Sequence, residues 1–320
     1  MSATAKPPSP RILVVRLGAM GDLLHALPAV ASLKRSFPAC HLAWLVEPRW
    51  TPLLEGNPHV DRILLLRRQS LGGLLASWRA LRQYPFDLAI DFQGLLKSAI
   101  PAWAARPREI FGFERHQLRE PAAAFFYSRR VPTQSAHVVD QNLDLAAAAG
   151  ATCRLHEFPL PPGQPEGELP AGDFVLASPF AGWQSKQWPI EHYQTLAVRL
   201  AEEIGMPLVL NCPPGTHVPP GRAVLHTSSL AGLIHATRRA TAVVGVDSGP
   251  LHLAAALGKP GVAIFGPTDP ARNGPYGGSL HVLRSPAAAT TYKRDREIAE
   301  SMRRIAPADV LEALKAAVHA

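Results

Sequence analysis

Short β-branched or Leu-rich runs alternate with amphipathic stretches along the first half of the chain. RILVVRL precedes Leu23 to Ser36, HLAWLVE precedes a short helix, RILLL precedes Leu71 to Arg82, and DLAIDF precedes Leu95 to Ala104. Strands that alternate with helices predict a parallel sheet. Two more helices are expected near His116 to Phe126 and Val138 to Ala149. The stretch GATCRLHEFPLPPGQPEGELPAGD then breaks both periods with Pro and Gly and reads as an extended linker. The alternation resumes as DFVLAS, a helix from Ile190 to Glu203, PLVLN, RAVLH, a helix from Leu230 to Arg238, AVVGV, a helix from Pro250 to Leu257, and GVAIFG. An amphipathic helix, Pro307 to Ala320, closes the pattern.

The pattern predicts two α/β domains: residues 1–155, a linker over 156–172, and residues 173–320 including the last helix. A length of 320 residues agrees with two units of about 150 each. Ligands of such folds bind outside the carboxyl ends of the strands, so the loops that follow strands are where chemistry is expected. With 47% apolar and 18% charged residues, composition excludes a disordered or fibrous chain. No window approaches the roughly 18 unbroken apolar residues of a membrane span, and MSATAKPPSP has no signal-peptide core, so the cytoplasm is the expected location. Cys40, Cys153 and Cys212 form no C-x-x-C pair and read as buried small hydrophobes. The net charge of +8 changes the picture more. Residues 1–160 hold 19 Lys/Arg against 12 Asp/Glu, whereas residues 161–320 hold 14 against 13. A positive first domain favours anionic ligands.

Three post-strand loops carry candidate chemistry. RLGAMGDLLHALPAV follows the first strand but offers only Gly18-x-x-Gly21, not the G-x-G-x-x-G of a dinucleotide fold, although Glu47 imitates the ribose-binding acid. Asp22 is in that loop, either as a helix N-cap or as a functional carboxylate. In VVGVDSGPLHLAAALGKP, Asp247, Ser248 and Gly249 turn into a helix whose free N–H groups suit a pyrophosphate, with His252 either at the ligand or packed on a loop. A second turn, Gly266 to Pro270, is expected to wall the same pocket. In PFAGWQSKQWP, Lys186 either reaches a diphosphate as a point charge or is a surface lysine.

Taken together, GAMGDLLHALPA, DFQGLLKSA, LREPAAAFFYSRR, SKQWP, VDSGPLHLAAALGKP and FGPTDP resemble the lipopolysaccharide heptosyltransferases of glycosyltransferase family 9 over nearly the full length. QGLLKSA and REP look most like the members that add the first heptose to Kdo-lipid A. The resemblance implies a GT-B fold, two facing Rossmann-like domains with parallel sheets and an interdomain cleft. It implies inverting transfer from ADP-heptose without cofactor or metal; no D-x-D pair suited to a divalent cation is present. Asp22 is then the general base and Lys186 assists departure of ADP. Ala181, Gly182, Lys186, Asp247, Ser248, Gly249 and His252 fall at the donor. Arg16, Arg67, Arg68, Gln93, Lys97, Arg119 and His137 fall at the anionic glycolipid acceptor. Peripheral contact with the inner membrane follows from such an acceptor, and nucleic acid is not an expected partner.

The chain departs from the family in places. CPPGTHVPPG after Asn211 lacks an acid for the adenosine ribose, Gln141 replaces a basic residue expected after His137, and Ala181 and Gly182 replace hydroxyl residues. Another acceptor or nucleotide sugar, a sugar-nucleotide epimerase on the same fold, and a non-enzymatic glycolipid-binding protein are the alternatives.

Overall fold

The computed structural model describes residues 9–216, 218–291 and 293–319. The chain divides into two compact units, Met1–Pro161 and Pro162–Ala320. The first contains β1 (Arg11–Val15), α1 (Met20–Ser36), β2 (His41–Val46), β3 (Arg62–Leu65), α2 (Leu71–Arg82), β4 (Leu88–Asp91), α3 (Leu96–Ala104), β5 (Glu109–Phe113), β6 (Arg129–Val131) and α4 (Val138–Ala148). All six strands are parallel, in the order β3-β2-β1-β4-β5-β6.

The second unit contains β7 (Val175–Ser178), α5 (Ile190–Glu203), β8 (Leu208–Asn211), β9 (Val224–His226), α6 (Leu230–Arg239), β10 (Ala242–Val246), α7 (Gly249–Ala256), β11 (Gly261–Phe265), α8 (Pro270–Asn273), β12 (Leu280–Arg284), α9 (Glu300–Arg303) and α10 (Pro307–His319). Its order, β12-β11-β10-β7-β8-β9, is the same topology repeated, again with all strands parallel. Each sheet therefore reverses its winding between its first and fourth strands, β1/β4 and β7/β10. At such a switch point adjacent loops diverge to opposite faces and open a crevice at the carboxyl ends.

Strands buried on both faces explain the near-continuous apolar runs in the sequence. In the first unit Leu13, Val15, Ala43, Leu45 and Ala89 pack with Leu81 of α2 and Ala99 and Ala102 of α3, while Ile12, Val14, Leu42 and Trp44 are buried on the other side. In the second, Val175, Leu208, Val244 and Ile264 share a core with Tyr193, Leu196 and Leu200 of α5 and Val310, Leu311 and Leu314 of α10. The last helix is thus part of that core.

Several expectations need correction. Residues 116–126 are not a helix but two 3-10 turns, Arg115–Gln117 and Pro121–Phe126. Pro121 biases the residue before it away from helix, and Glu120 is at φ −117°, ψ 88°. β5, β6 and β12 escaped the pattern: β5 carries a glycine, β6 has three residues, and β12 is a partly exposed edge strand. Cys40 and Cys212 are buried, but Cys153 is only half-buried, with Sγ 3.4 Å from Ser36 Oγ. The Pro/Gly-rich stretch is pinned rather than free. Pro159 O accepts from Asn57 Nδ2 at 2.9 Å, and Glu166 accepts from the N–H and hydroxyl of Ser229, both at 2.7 Å.

Candidate active site

Both switch points carry a carboxylate cluster. In the first unit Val15 and Asp91 are paired at the ends of β1 and β4, so the loops that leave these strands lie side by side. Arg16 continues β1 inward. Its guanidinium is only 9% exposed, with Nη2 2.6 Å from Asp22 Oδ1, and its Nη1 donates to Phe92 O. Asp22 is not the N-cap of α1, which is Ala19, but the third helical residue; its Oδ2 accepts the Ala19 N–H at 3.1 Å. A carboxylate in the first helical turn also meets the positive end of the helix dipole. Its side chain stays 45% exposed, so the groups that orient it leave an open edge. Glycine is required at position 18: φ is +152°, and a Cβ would strike Trp50 Nε1.

The neighbouring turn is fixed from below by Asp91. This fully buried carboxylate accepts from Tyr127 Oη (2.7 Å), Ser98 Oγ (2.8 Å), Gln93 N (2.9 Å) and Gly94 N (3.3 Å). Burial pushes its pKa up despite donors that favour the charged form. Gln93 in turn accepts the Leu17 N–H at 2.8 Å through Oε1. Two bridges therefore join the turns, Arg16 to Phe92 and Gln93 to Leu17, and together they fix where Asp22 stands.

In the second unit the cluster is drier. Asp247, directly after β10, has Oδ2 2.6 Å from Lys186 Nζ and 2.7 Å from the donating Thr268 hydroxyl, and Oδ1 3.4 Å from His252 Nε2. Its side chain is 7% exposed. Burial alone would raise the Asp247 pKa, but the hydrogen bond and charge of His252 and then Lys186 outweigh it, holding the carboxyl well below the usual range. Lys186 ends the 3-10 turn Gln184–Lys186 that follows β7, and its ammonium also lies 4.2 Å from the centroid of the Trp183 ring. Ser248 occupies the N-cap of α7 without using its hydroxyl as a cap, and its Oγ has no hydrogen-bond partner among the described residues.

The remaining sequence candidates distribute as follows. Gly182 is exposed, with open space where a Cβ would stand, and Ala181 O accepts from Gln187 Nε2 at 3.3 Å. Gly249 begins α7. His137 is the N-cap of α4, its Nδ1 accepting the Val139 N–H at 3.1 Å, and its ring meets His25 edge-on at 5.7 Å. Arg67, Lys97 and Arg119 are exposed. Arg68 is held by Glu47, whose pKa is kept low because Arg68 outweighs the effect of burial. Glu47 is thus engaged by an arginine and does not present a free ribose-binding acid. His217, in the turn after Asn211, lies outside the described residues. Asp91, Ser98, Tyr127, Trp183 and Thr268 were not singled out from sequence. The signal available for Thr268 was its place in the turn after β11, and for Asp91 its place at the end of the strand next to β1.

Among the described residues no group of three or more His, Cys, Asp or Glu could hold a metal ion, and no helix is long and apolar enough to cross a membrane.

The family model glycosyltransferase family 9 (heptosyltransferase) matches residues 74–302. Lipopolysaccharide heptosyltransferase 1 of Pseudomonas aeruginosa is 33% identical over 303 residues, covering 84% of this chain and 82% of the relative. The structure of the E. coli heptosyltransferase WaaC with ADP superimposes with a TM-score of 0.77 at 25% identity, covering 96% of this chain and 99% of WaaC. WaaC with ADP-2-deoxy-2-fluoro heptose gives 0.74 at 26% identity, with 94% and 98% covered. With its two parallel six-stranded units and a family match over more than half its length, this chain belongs to glycosyltransferase family 9, the heptosyltransferases, and has their GT-B fold.

Proposed function

We propose that this enzyme transfers a heptose from ADP-L-glycero-D-manno-heptose to the Kdo region of lipid A during assembly of the lipopolysaccharide inner core. The unit over residues 1–155 takes the acceptor and that over 173–320 the nucleotide sugar. The observation that carries this reading is the contrast in how the two switch-point carboxylates are held. Asp22 is oriented yet open, as a base must be; Asp247 is buried and orders a lysine.

Asp22 takes the proton of the acceptor hydroxyl while that oxygen attacks the anomeric carbon from the face opposite the leaving group. The new C–O bond forms as the bond to the diphosphate oxygen breaks, and ADP departs with the electron pair. Configuration inverts in one displacement. Lys186, positioned by Asp247 and Trp183, and the N–H groups at Ser248 and Gly249 face the negative charge that grows on the diphosphate. His252 and Thr268 keep Asp247 in register with Lys186, and Ala181 and Gly182 contribute backbone to the donor pocket.

On the acceptor side Arg67, Arg68, Lys97, Arg119 and His137 meet the carboxylate and phosphates of the anionic glycolipid, with Arg16 and Gln93 underneath, holding the base in place. The lipid anchor of that acceptor puts the reaction at the cytoplasmic face of the inner membrane, and no metal takes part. Mass spectrometry of Kdo-lipid A after incubation with the enzyme, ADP-heptose and EDTA tests all of this at once. A gain of one heptose is expected. Slow hydrolysis of ADP-heptose with no gain on the acceptor would keep the donor and remove the acceptor; no turnover at all would remove both.

A further inference from the structure

In the first unit the exposed large apolar side chains among the described residues all lie on three elements: α2, α3 and the Pro121–Phe126 turn. Leu71, Leu75 and Trp78 recur at i, i+4 and i+7, one stripe of α2, and that stripe faces water; the buried residues of the helix are Ser77 and Leu81. Ile100 and Trp103 stand exposed on α3, which packs beside α2, and Phe125 on the turn, which packs beside α3. Leu71 is 81% exposed, Phe125 70% and Trp103 57%. An apolar face this continuous is uncommon on a soluble monomer and marks a place of contact.

Charge identifies the partner. Residues 62–86 and 92–108, which include α2 and α3, hold eight Lys/Arg and no Asp/Glu. Of these, Arg79 and Arg82 are carried by α2 itself. Arg79 and Arg82 are exposed on the same side of α2, and the Arg115 guanidinium lies 5.4 Å from the centroid of the Phe125 ring. A second copy of the chain docking through the same patch would set these cations against their own images. An anionic bilayer would receive both components: Leu and Phe side chains at the acyl boundary, Trp rings at headgroup depth, and guanidinium groups on phosphates.

We propose that the outward face of α2, α3 and the Pro121–Phe126 turn seats the acceptor unit on an anionic phospholipid surface. The proposal rests on the reading that the acceptor is lipid-linked, and it adds which face of the protein meets the bilayer.

The test is co-sedimentation of the full chain with phosphatidylglycerol/phosphatidylethanolamine vesicles and with phosphatidylcholine vesicles, at low and high salt. The wild type is expected to bind the anionic vesicles at least tenfold more than the neutral ones, with binding weakened by salt. The variant L71Q/L75Q/W103Q changes only exposed side chains and should fold normally, which circular dichroism and Tm verify. It is expected to lose at least tenfold in vesicle binding and in turnover of acceptor embedded in vesicles, while turnover of deacylated, water-soluble acceptor is unchanged. Arg79→Glu should reproduce the vesicle defect more weakly. Equal vesicle binding by wild type and triple variant overturns the proposal. So does a wild type that is dimeric and a triple variant that is monomeric with no difference on vesicles. Loss of vesicle binding in an enzyme that turns over neither acceptor would leave the docking face standing and remove the lipid-linked acceptor instead.

Discussion

Asp22 and Asp247 stand beside the switch points of two copies of one topology, Asp22 in the first turn of the helix after the first strand and Asp247 directly after the fourth strand, and their surroundings differ in kind. Asp22 has one cation and one backbone N–H, with 45% of its side chain open to solvent. Asp247 has a lysine, a histidine and a threonine hydroxyl around it and is 7% exposed. An acid fully occupied by hydrogen bonds cannot take a proton from a ligand, whereas an acid fixed from one side can. On the proposed reading, the crevice of the first unit serves proton transfer and that of the second holds positive charge steady.

The comparison breaks most visibly if its two sides respond alike. Asp22→Asn removes the proposed base and leaves an acceptor oxygen for Arg16; kcat is expected to fall by about 10²–10⁴-fold with ADP binding unchanged and Tm lowered less than in Asp247→Ala, read by heptose incorporation and calorimetry. Asp247→Ala should behave in the opposite sense, leaving a mostly buried ammonium without its partner. A stability loss of about 3 kcal/mol is expected from denaturant unfolding, with activity falling as a consequence. pH sharpens the same point. Because the folded pKa of Asp247 lies below its unfolded value, the contribution of its ion pairs is complete above the unfolded carboxyl pKa of about 4 and is lost as pH falls through that value toward the folded one. Asp247→Asn should therefore flatten the acid limb of the stability curve, and a curve that stays as steep as the wild type's counts against the assignment. Gly112→Ala would strike the Tyr127 ring that donates to Asp91; a cost of about 1–3 kcal/mol and a disturbed Asp22 are expected, measured by Tm and kcat. Thr268→Val removes one buried hydrogen bond to Asp247 and should cost about 1 kcal/mol with a small change in KM for the donor.

Much of the scaffold was legible because both sheets are buried on two faces and their strands read as apolar runs; the helix Ile190–Glu203 was bounded to the residue. The failures have local causes. The stretch after β5 is apolar and alanine-rich enough to suggest a helix, but Pro121 denies helical geometry to the residue before it, and two 3-10 turns result. The first loop after a strand pointed to Asp22, but nothing local in the sequence announces that Arg16 reaches Phe92, 76 residues away, or that Tyr127 supports Asp91. Such partners are brought together by the sheet, and the periodicity of a single segment carries no trace of them. Lys186 and Asp247 were each visible as post-strand residues; that they bond to each other follows only from the neighbouring placement of β7 and β10.

The two bridges between the loops after β1 and β4 have a consequence for how this enzyme can change. Leu17, Gln93, Phe92, Arg16 and Asp22 form one connected frame under the first unit's crevice, in which Arg16 and Gln93 supply the bridging side chains and Leu17 and Phe92 the backbone groups they meet. Arg67, Lys97 and Arg119 stand exposed outside that frame. If the proposed roles hold, acceptor preference is open to variation at the rim, by exchange of single surface cations, while the carboxylate beneath stays in place: a fixed chemistry with a replaceable address.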